Sequence, residues 1–174
     1  MGQSRKTRAI RKALDESLRK ADEWLAPSGL SVQCETEEPM PPDVLGEYEA
    51  CSVYEKQIHI WVNIPGIAAY CYTGGECPPG HRWDGLREIV ATTVYHEVGH
   101  AVVEQIRDWD DNIPEIRSLV RRRLRHQYND VFDGLLDEEV IVEDFAWGML
   151  EGRPSQLQRC FEDLNRFIEN DYRS

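Results

Sequence analysis

Hydrophobic positions recur at three- and four-residue steps through residues 5–25, where Ile10, Leu14, Leu18 and Leu25 mark one face of an amphipathic helix. Pro27-Ser28-Gly29 ends that pattern. Residues 30–35 alternate enough for a short strand, and 37–42 form a Pro-rich acidic loop with no packing pattern. From 47 to 64 the period falls to two, and β-branched and aromatic residues accumulate. That segment predicts a strand over 48–54, a turn at 55–57 and a return strand over 58–62. Pro65, Gly66, Gly74, Gly75, Pro78, Pro79 and Gly80 then predict a long irregular loop over 65–82.

Helical spacing returns after the loop. A helix over 84–107 has Ile89, Val90, Thr93, Val94, Val98, Ala101 and Val102 on its buried side. Another starts at Pro114 and runs to residue 127, and a third covers 133–150 before Gly152-Arg153-Pro154 stops it. The last spans 155–170, with Leu157, Cys160, Phe161, Leu164 and Ile168 on one face. A helix, a few strands and then a run of helices predict an α+β domain. The 174 residues fit a single domain over 1–174, with a leading basic helix in 1–27 and a C-terminal helix in 153–174.

The formal net charge is −12, which argues against a nucleic-acid partner. Basic residues gather in the first 25 positions and at Arg117, Arg121, Arg122, Arg123 and Arg125, while acids concentrate in 35–55 and 130–144. Solvated helix faces account for these blocks, and a local anionic partner for the arginines is the alternative. Cysteine is present five times, at 34, 51, 71, 77 and 160, with no paired CxxC spacing, which points to reduced thiols. Cys71 and Cys77 flank a Gly-Gly turn and would bridge only if oxidised. No apolar run approaches the roughly 20 residues that span a bilayer. The basic start leads into a helix pattern rather than a signal segment, so the expected location is cytoplasmic, with no membrane partner. Oligomeric state has no signature in the chain.

The chemistry-bearing motif is His96-Glu97-Val98-Gly99-His100. Four residues is just over one helical turn, so both imidazoles project from one face and can grip one metal ion. Glu97 is rotated about 100° from His96, which sets it beside the metal, where a carboxylate can serve as general base toward water. Two neutral nitrogens and one further protein ligand leave a fourth position open, as catalytic zinc requires. Flanking Val94, Val98 and Val102 place the motif on a packed helix, and Gly99 is expected to leave room beside the metal.

His96-Glu97-Val98-Gly99-His100-Ala101 resembles the zinc-binding helix of the zincin metallopeptidases. In their gluzincin branch the third ligand is a glutamate on a later helix. Its signature is Glu, two variable residues, Ala, Asp or Asn, one more residue, a large apolar residue and Ala. Residues 139–146, Glu-Val-Ile-Val-Glu-Asp-Phe-Ala, are similar, with Val142 in place of the usual Ala and Glu143 in place of Asp or Asn. The resemblance implies Glu139 as third ligand and Glu143 as the outer-shell group orienting a ligand histidine. Glu143 as ligand with Glu139 outside it, or Glu138 or His126 as ligand, stay open. In minimal-size members a leading helix and a small mixed or antiparallel sheet with an exposed edge strand precede the active-site helix and the glutamate helix. Substrates of that family bind extended along the edge strand. Residues 58–62 and the loop after them are the candidate edge, and a core hairpin is the alternative.

What the resemblance implies is a zinc-dependent metallopeptidase, a hydrolase of the endopeptidase class acting on a peptide or protein substrate. Its cofactor is Zn2+, its metal ligands are His96, His100 and Glu139, and its general base is Glu97. The alternative is a non-catalytic zinc-binding interaction protein of zincin-like fold, and a third reading is a peptidase dedicated to one intracellular partner. Tyr95, His126 and Tyr128 are candidates to stabilise the oxyanion. His59 and His81 have no spacing that makes them ligands, and the tryptophans at 24, 61, 83, 109 and 147 suit the core or a lid.

Overall fold

The computed structural model describes residues 5–36, 40–49, 56–73, 85–123, 126–134 and 137–171. Its elements in chain order are α1 (Arg5–Leu25), β1 (Ser31–Glu35), β2 (Gly46–Glu49), β3 (Gln57–Val62), α2 (Ile64–Thr73), α3 (Leu86–Asn112), α4 (Pro114–Arg123), α5 (His126–Phe132), α6 (Glu139–Glu151) and α7 (Gln156–Asp171). A small mixed sheet among these helices makes the chain α+β. Among the described residues no helix is long and apolar enough to cross a membrane.

The centre of the molecule is α3. Its buried residues include Ile89, Val90, Val94, Val98, Ala101 and Val102, together with Thr92, Tyr95, Val103 and Ile106 on other sides. A helix apolar nearly all round must be enclosed. Accordingly α1, α6, α4, α2, α7 and two strands all pack on it. The expected buried face of α3 is therefore correct, but the helix runs on to Asn112. Phe145 of α6 is completely buried and meets the Trp24 ring edge-on at 5.3 Å, joining α6 to α1.

The sheet has the order β1-β3-β2, with β1 parallel and β2 antiparallel to β3. Ile58, Ile60 and Val62 alternate into the core. The expectation that 58–62 is the exposed edge is overturned, because β3 is the central strand. The strand expected over 48–54 lies at 46–49, with 50–55 outside the described residues. On β1 the outward amide of Val32 donates to Asp22 Oδ1 at 2.7 Å, so a side chain from α1 covers that edge. Among the described strands the edge beside the candidate site is β2. Asn63 N–H donates to Leu45 C=O at 2.8 Å, which fixes the antiparallel phase. By alternation the backbone groups of Gly46 and Tyr48 are directed away from β3.

Helix α2 occupies the first half of the segment expected to be irregular, and the rest of that loop, 74–82, lies outside the described residues. Pro65 and Gly66 fall in the first turn, where a missing amide and a small residue are tolerated. Asn63 caps that turn by accepting from Gly66 N–H at 2.9 Å, while its amide group donates to the Pro41 and Val44 carbonyls. The same residue thus starts a helix and pins the approach to β2. The helix expected from 114 to 127 ends at Arg123, and α5 follows from His126. The glutamate helix begins at Glu139 rather than 133. Gly134 adopts a φ of +71°, which breaks the helix path, and Asp137 Oδ1 accepts from Glu139 N–H at 3.1 Å.

Candidate metal centre

His96 and His100 project from the same face of α3 onto the N-terminal end of α6. His96 Nε2 stands 3.1 Å from Glu139 Oε2, His100 Nε2 stands 3.3 Å from Glu139 Oε1, and the two Nε2 atoms are 3.2 Å apart. Each residue offers one ligand atom, and these atoms lie within 4.8 Å of one another. Ligands held about 2.0–2.1 Å from a tetrahedral ion stand about 3.3 Å from each other. The two nitrogens match that spacing, Glu139 approaches each of them with a different oxygen, and the three residues could hold a metal ion.

The tautomer of His100 fits as well. Its Nδ1 lies 2.6 Å from Glu138 Oε1, and an ionised carboxylate only accepts, so Nδ1 carries the proton. The neutral ring then has its lone pair on Nε2, facing the cluster. The other Glu138 oxygen accepts from Arg107. The bond from His100, joined by Arg107, holds the Glu138 carboxyl below its ordinary range against the effect of burial. Burial also acts to lower His100, but Glu138, Glu139 and Glu97 outweigh it and raise that ring above its usual value. Burial pushes His96 down, opposed by Glu139.

Glu97 is buried in the wall between α3 and β2. Burial is the main cause that lifts its carboxyl to about 7 in the metal-free chain, with His100 opposing and Glu139 and Glu47 reinforcing. A cleft of about 350 Å³ opens beside Glu97 and His96. Val44, Leu45, Tyr70, Thr92, Ala146 and Trp147 form much of its wall. Tyr48, next but one to Gly46 on β2, stacks its ring parallel to His100 at 6.5 Å and donates its hydroxyl to Glu104.

The structure thus gathers His96, His100, Glu139 and Glu97 as the sequence pattern anticipates. Glu143 lines the cleft with His96, where its charge acts to raise the pKa of that ring, and its Oε1 accepts from Trp147 Nε1 at 3.1 Å. The carboxylate on His100 belongs to Glu138. Glu138 is the N-cap of α6: its carbonyl accepts from Val142 N–H at 3.0 Å while its side chain reaches His100. Gly99 also differs from its expected role. A Cβ on it would stand 3.0 Å from Val142 Cγ1 and 3.1 Å from Phe145 Cδ1, so its smallness lets α6 close on α3. Val142, where the resemblance has Ala, fills the space that Gly99 leaves.

Tyr95 turns toward α1, where Lys20 lies 5.6 Å from its ring centroid, away from the histidine pair. His81 and the side chains of His126 and Tyr128 lie outside what the structure describes. Glu138, Arg107, Tyr48 and Glu104 escaped sequence reading as site neighbours. Part of the signal was present, because His96, His100, Glu104 and Arg107 fall at helical steps on one side of a largely apolar helix. Comparison of the chain with known protein families, with curated proteins and with solved structures gives no match.

Proposed function

We propose that this chain is a zinc-dependent metallopeptidase of gluzincin type, hydrolysing peptide bonds in a peptide or protein substrate. The observation that carries the reading is the convergence of His96, His100 and Glu139 within 4.8 Å, beside the buried Glu97 and a cleft. His96 and His100 would supply two neutral nitrogens and Glu139 a carboxylate oxygen, and Glu138 would hold His100 in the ligating tautomer. Zinc, when bound, supplies a Lewis acid for the scissile carbonyl and makes water a nucleophile near neutral pH. Glu97 takes the proton of the attacking water and delivers it to the leaving amine nitrogen. Its burial suits both steps, since a carboxylate out of water holds a proton more readily. An extended chain lying along β2, an edge among the described strands, would cross the face of α3 that bears Glu97. A cytoplasmic location goes with this reading.

Glu97→Gln tests the mechanism. The variant retains its metal and loses hydrolysis of a mixture of internally quenched peptides, and full retained activity would exclude Glu97 as the base. One observation favours a second reading, a non-catalytic zinc-binding interaction protein. Glu143, at the family's ligand-orienting position, is bonded to Trp147. X-ray absorption separates the two readings, because the interaction protein has four protein ligands and the peptidase three.

A further inference from the structure

At Gly46 β2 passes close against α3 with no side chain between them. A Cβ built on Gly46 would stand 2.8 Å from Glu97 Oε1, 2.8 Å from Thr93 Cγ2 and 3.0 Å from Glu97 Cγ. Real Cβ atoms do not approach heavy atoms at 2.8 Å, so any other residue here must displace something. The Thr93 methyl sits on a β-branched side chain whose hydroxyl is tied to the Ile89 carbonyl at 2.9 Å, and it cannot swing aside. The backbone of Gly46 is held through the neighbouring bond between Asn63 N–H and Leu45 C=O. Of these neighbours the Glu97 carboxylate, at the far end of a flexible side chain, yields first, and the Thr93 contact is relieved only by a small shift of the strand. Gly46, Thr93 and Glu97 all line the cleft, so any displacement occurs where substrate would lie.

We propose that Gly46 is a positioning residue for Glu97: the bare Cα of the edge strand holds open the space in which the carboxylate faces the cleft. The inference rests on the reading of Glu97 as general base. Gly46 has no chemistry of its own and acts by letting the strand pass within contact distance of the carboxylate. A methyl group at 46 meets Glu97 and Thr93 before any atom of His96, His100 or Glu139, and so moves that carboxylate while leaving the three able to hold metal.

The test compares wild type, Gly46→Ala, Thr93→Ser and the double variant. Metal content and kcat and KM are read on the best-cleaved member of a random internally quenched peptide mixture. Gly46→Ala should keep its metal and lose about a hundredfold in kcat, the scale of a misplacement near 1 Å. Adding Thr93→Ser, which removes the clashing methyl but keeps the hydroxyl, should restore part of the loss. The independent readout is the 13C resonance of the Glu97 carboxyl in the metal-free proteins, assigned through Glu97→Gln. It should shift in Gly46→Ala and move back in the double variant. If Gly46→Ala does not fold, the double variant is compared with Thr93→Ser alone and must show the lower kcat and the displaced resonance. Unchanged kcat or an unmoved Glu97 resonance in Gly46→Ala overturns the inference. A wild-type protein that cleaves nothing contradicts the peptidase reading instead, and the resonance still decides whether Gly46 positions Glu97.

Discussion

Removing the Glu138 carboxylate should weaken metal binding without removing any ligand. Its Oε1 lies 2.6 Å from His100 Nδ1, and its other oxygen accepts from Arg107. The Glu138 side chain is 23% exposed and that of Arg107 42%. Solvent screening of Arg107 limits its ion pair with Glu138 to under about 1 kcal/mol. The bond to His100 is short, charge-assisted and better shielded, worth about 1.5–3 kcal/mol. Loss of an outer-shell partner typically weakens a metal site about 10–100-fold, or about 1.4–2.7 kcal/mol, which agrees with that bond. Glu138→Ala should therefore lose 10–100-fold in zinc affinity, on the order of that outer-shell effect. Glu138→Gln keeps an acceptor for Nδ1–H and should lose less. Arg107→Ala should lose under about fivefold, as its exposure dictates. Competition with a colorimetric chelator at pH 7.5 measures each constant, and circular dichroism checks that each variant is folded. A Glu138→Ala protein binding zinc within about twofold of wild type would refute an outer-shell role for this residue.

Phe145→Ala removes a fully buried ring between α6 and Trp24, and should cost about 3–5 kcal/mol in urea unfolding. Gly99→Ala places a methyl 3.0 Å from Val142 Cγ1 and should destabilise by about 1–3 kcal/mol. Adding Val142→Ala should recover part of that loss, whereas an additive double variant would show that the two positions do not compete for space. Zinc affinity should fall with acidity, by about tenfold per pH unit once His100 protonates, because the proton occupies the ligand nitrogen. The raised pKa of His100 starts that loss above the usual histidine value, while the lowered His96 adds to it only at more acid pH. Affinities at pH 7.5, 6.5 and 5.5 check the direction, and a constant that does not change would mean that His100 is not a ligand.

The parts of the fold legible in the sequence are those governed by periodicity. Ile10, Leu14 and Leu25 on α1 and Leu157, Cys160, Phe161, Leu164 and Ile168 on α7 are buried as their spacing requires. What failed was the reading of local breakers. Pro65 and Gly66 look like a loop until Asn63 is recognised as the cap of a helix whose first turn accepts both. Strand order is a tertiary property. Nothing in residues 31–35 states that they pair with β3 in parallel and so move 57–62 to the middle of the sheet. The site divides the same way. His96, Glu97 and His100 share one helical turn and were readable, and Glu139 entered through a resemblance that a neighbouring apolar pair supported. The division of labour between Glu138 and Glu143 depends on where α6 starts, which Gly134 and Asp137 set. Gly46 was invisible, because the reason for its smallness is a carboxylate that is 51 positions away in the chain and meets it only in the fold.

The central claim is a three-ligand metal site, and metal analysis of the protein purified without added zinc tests it most directly. Mass spectrometry of wild type and Glu139→Ala should find about one zinc per chain in the first and a large loss in the second. Zinc retained in Glu139→Ala would contradict Glu139 as the third ligand. Absence of bound metal from wild type, even after zinc is offered, would contradict the site itself and with it the enzyme.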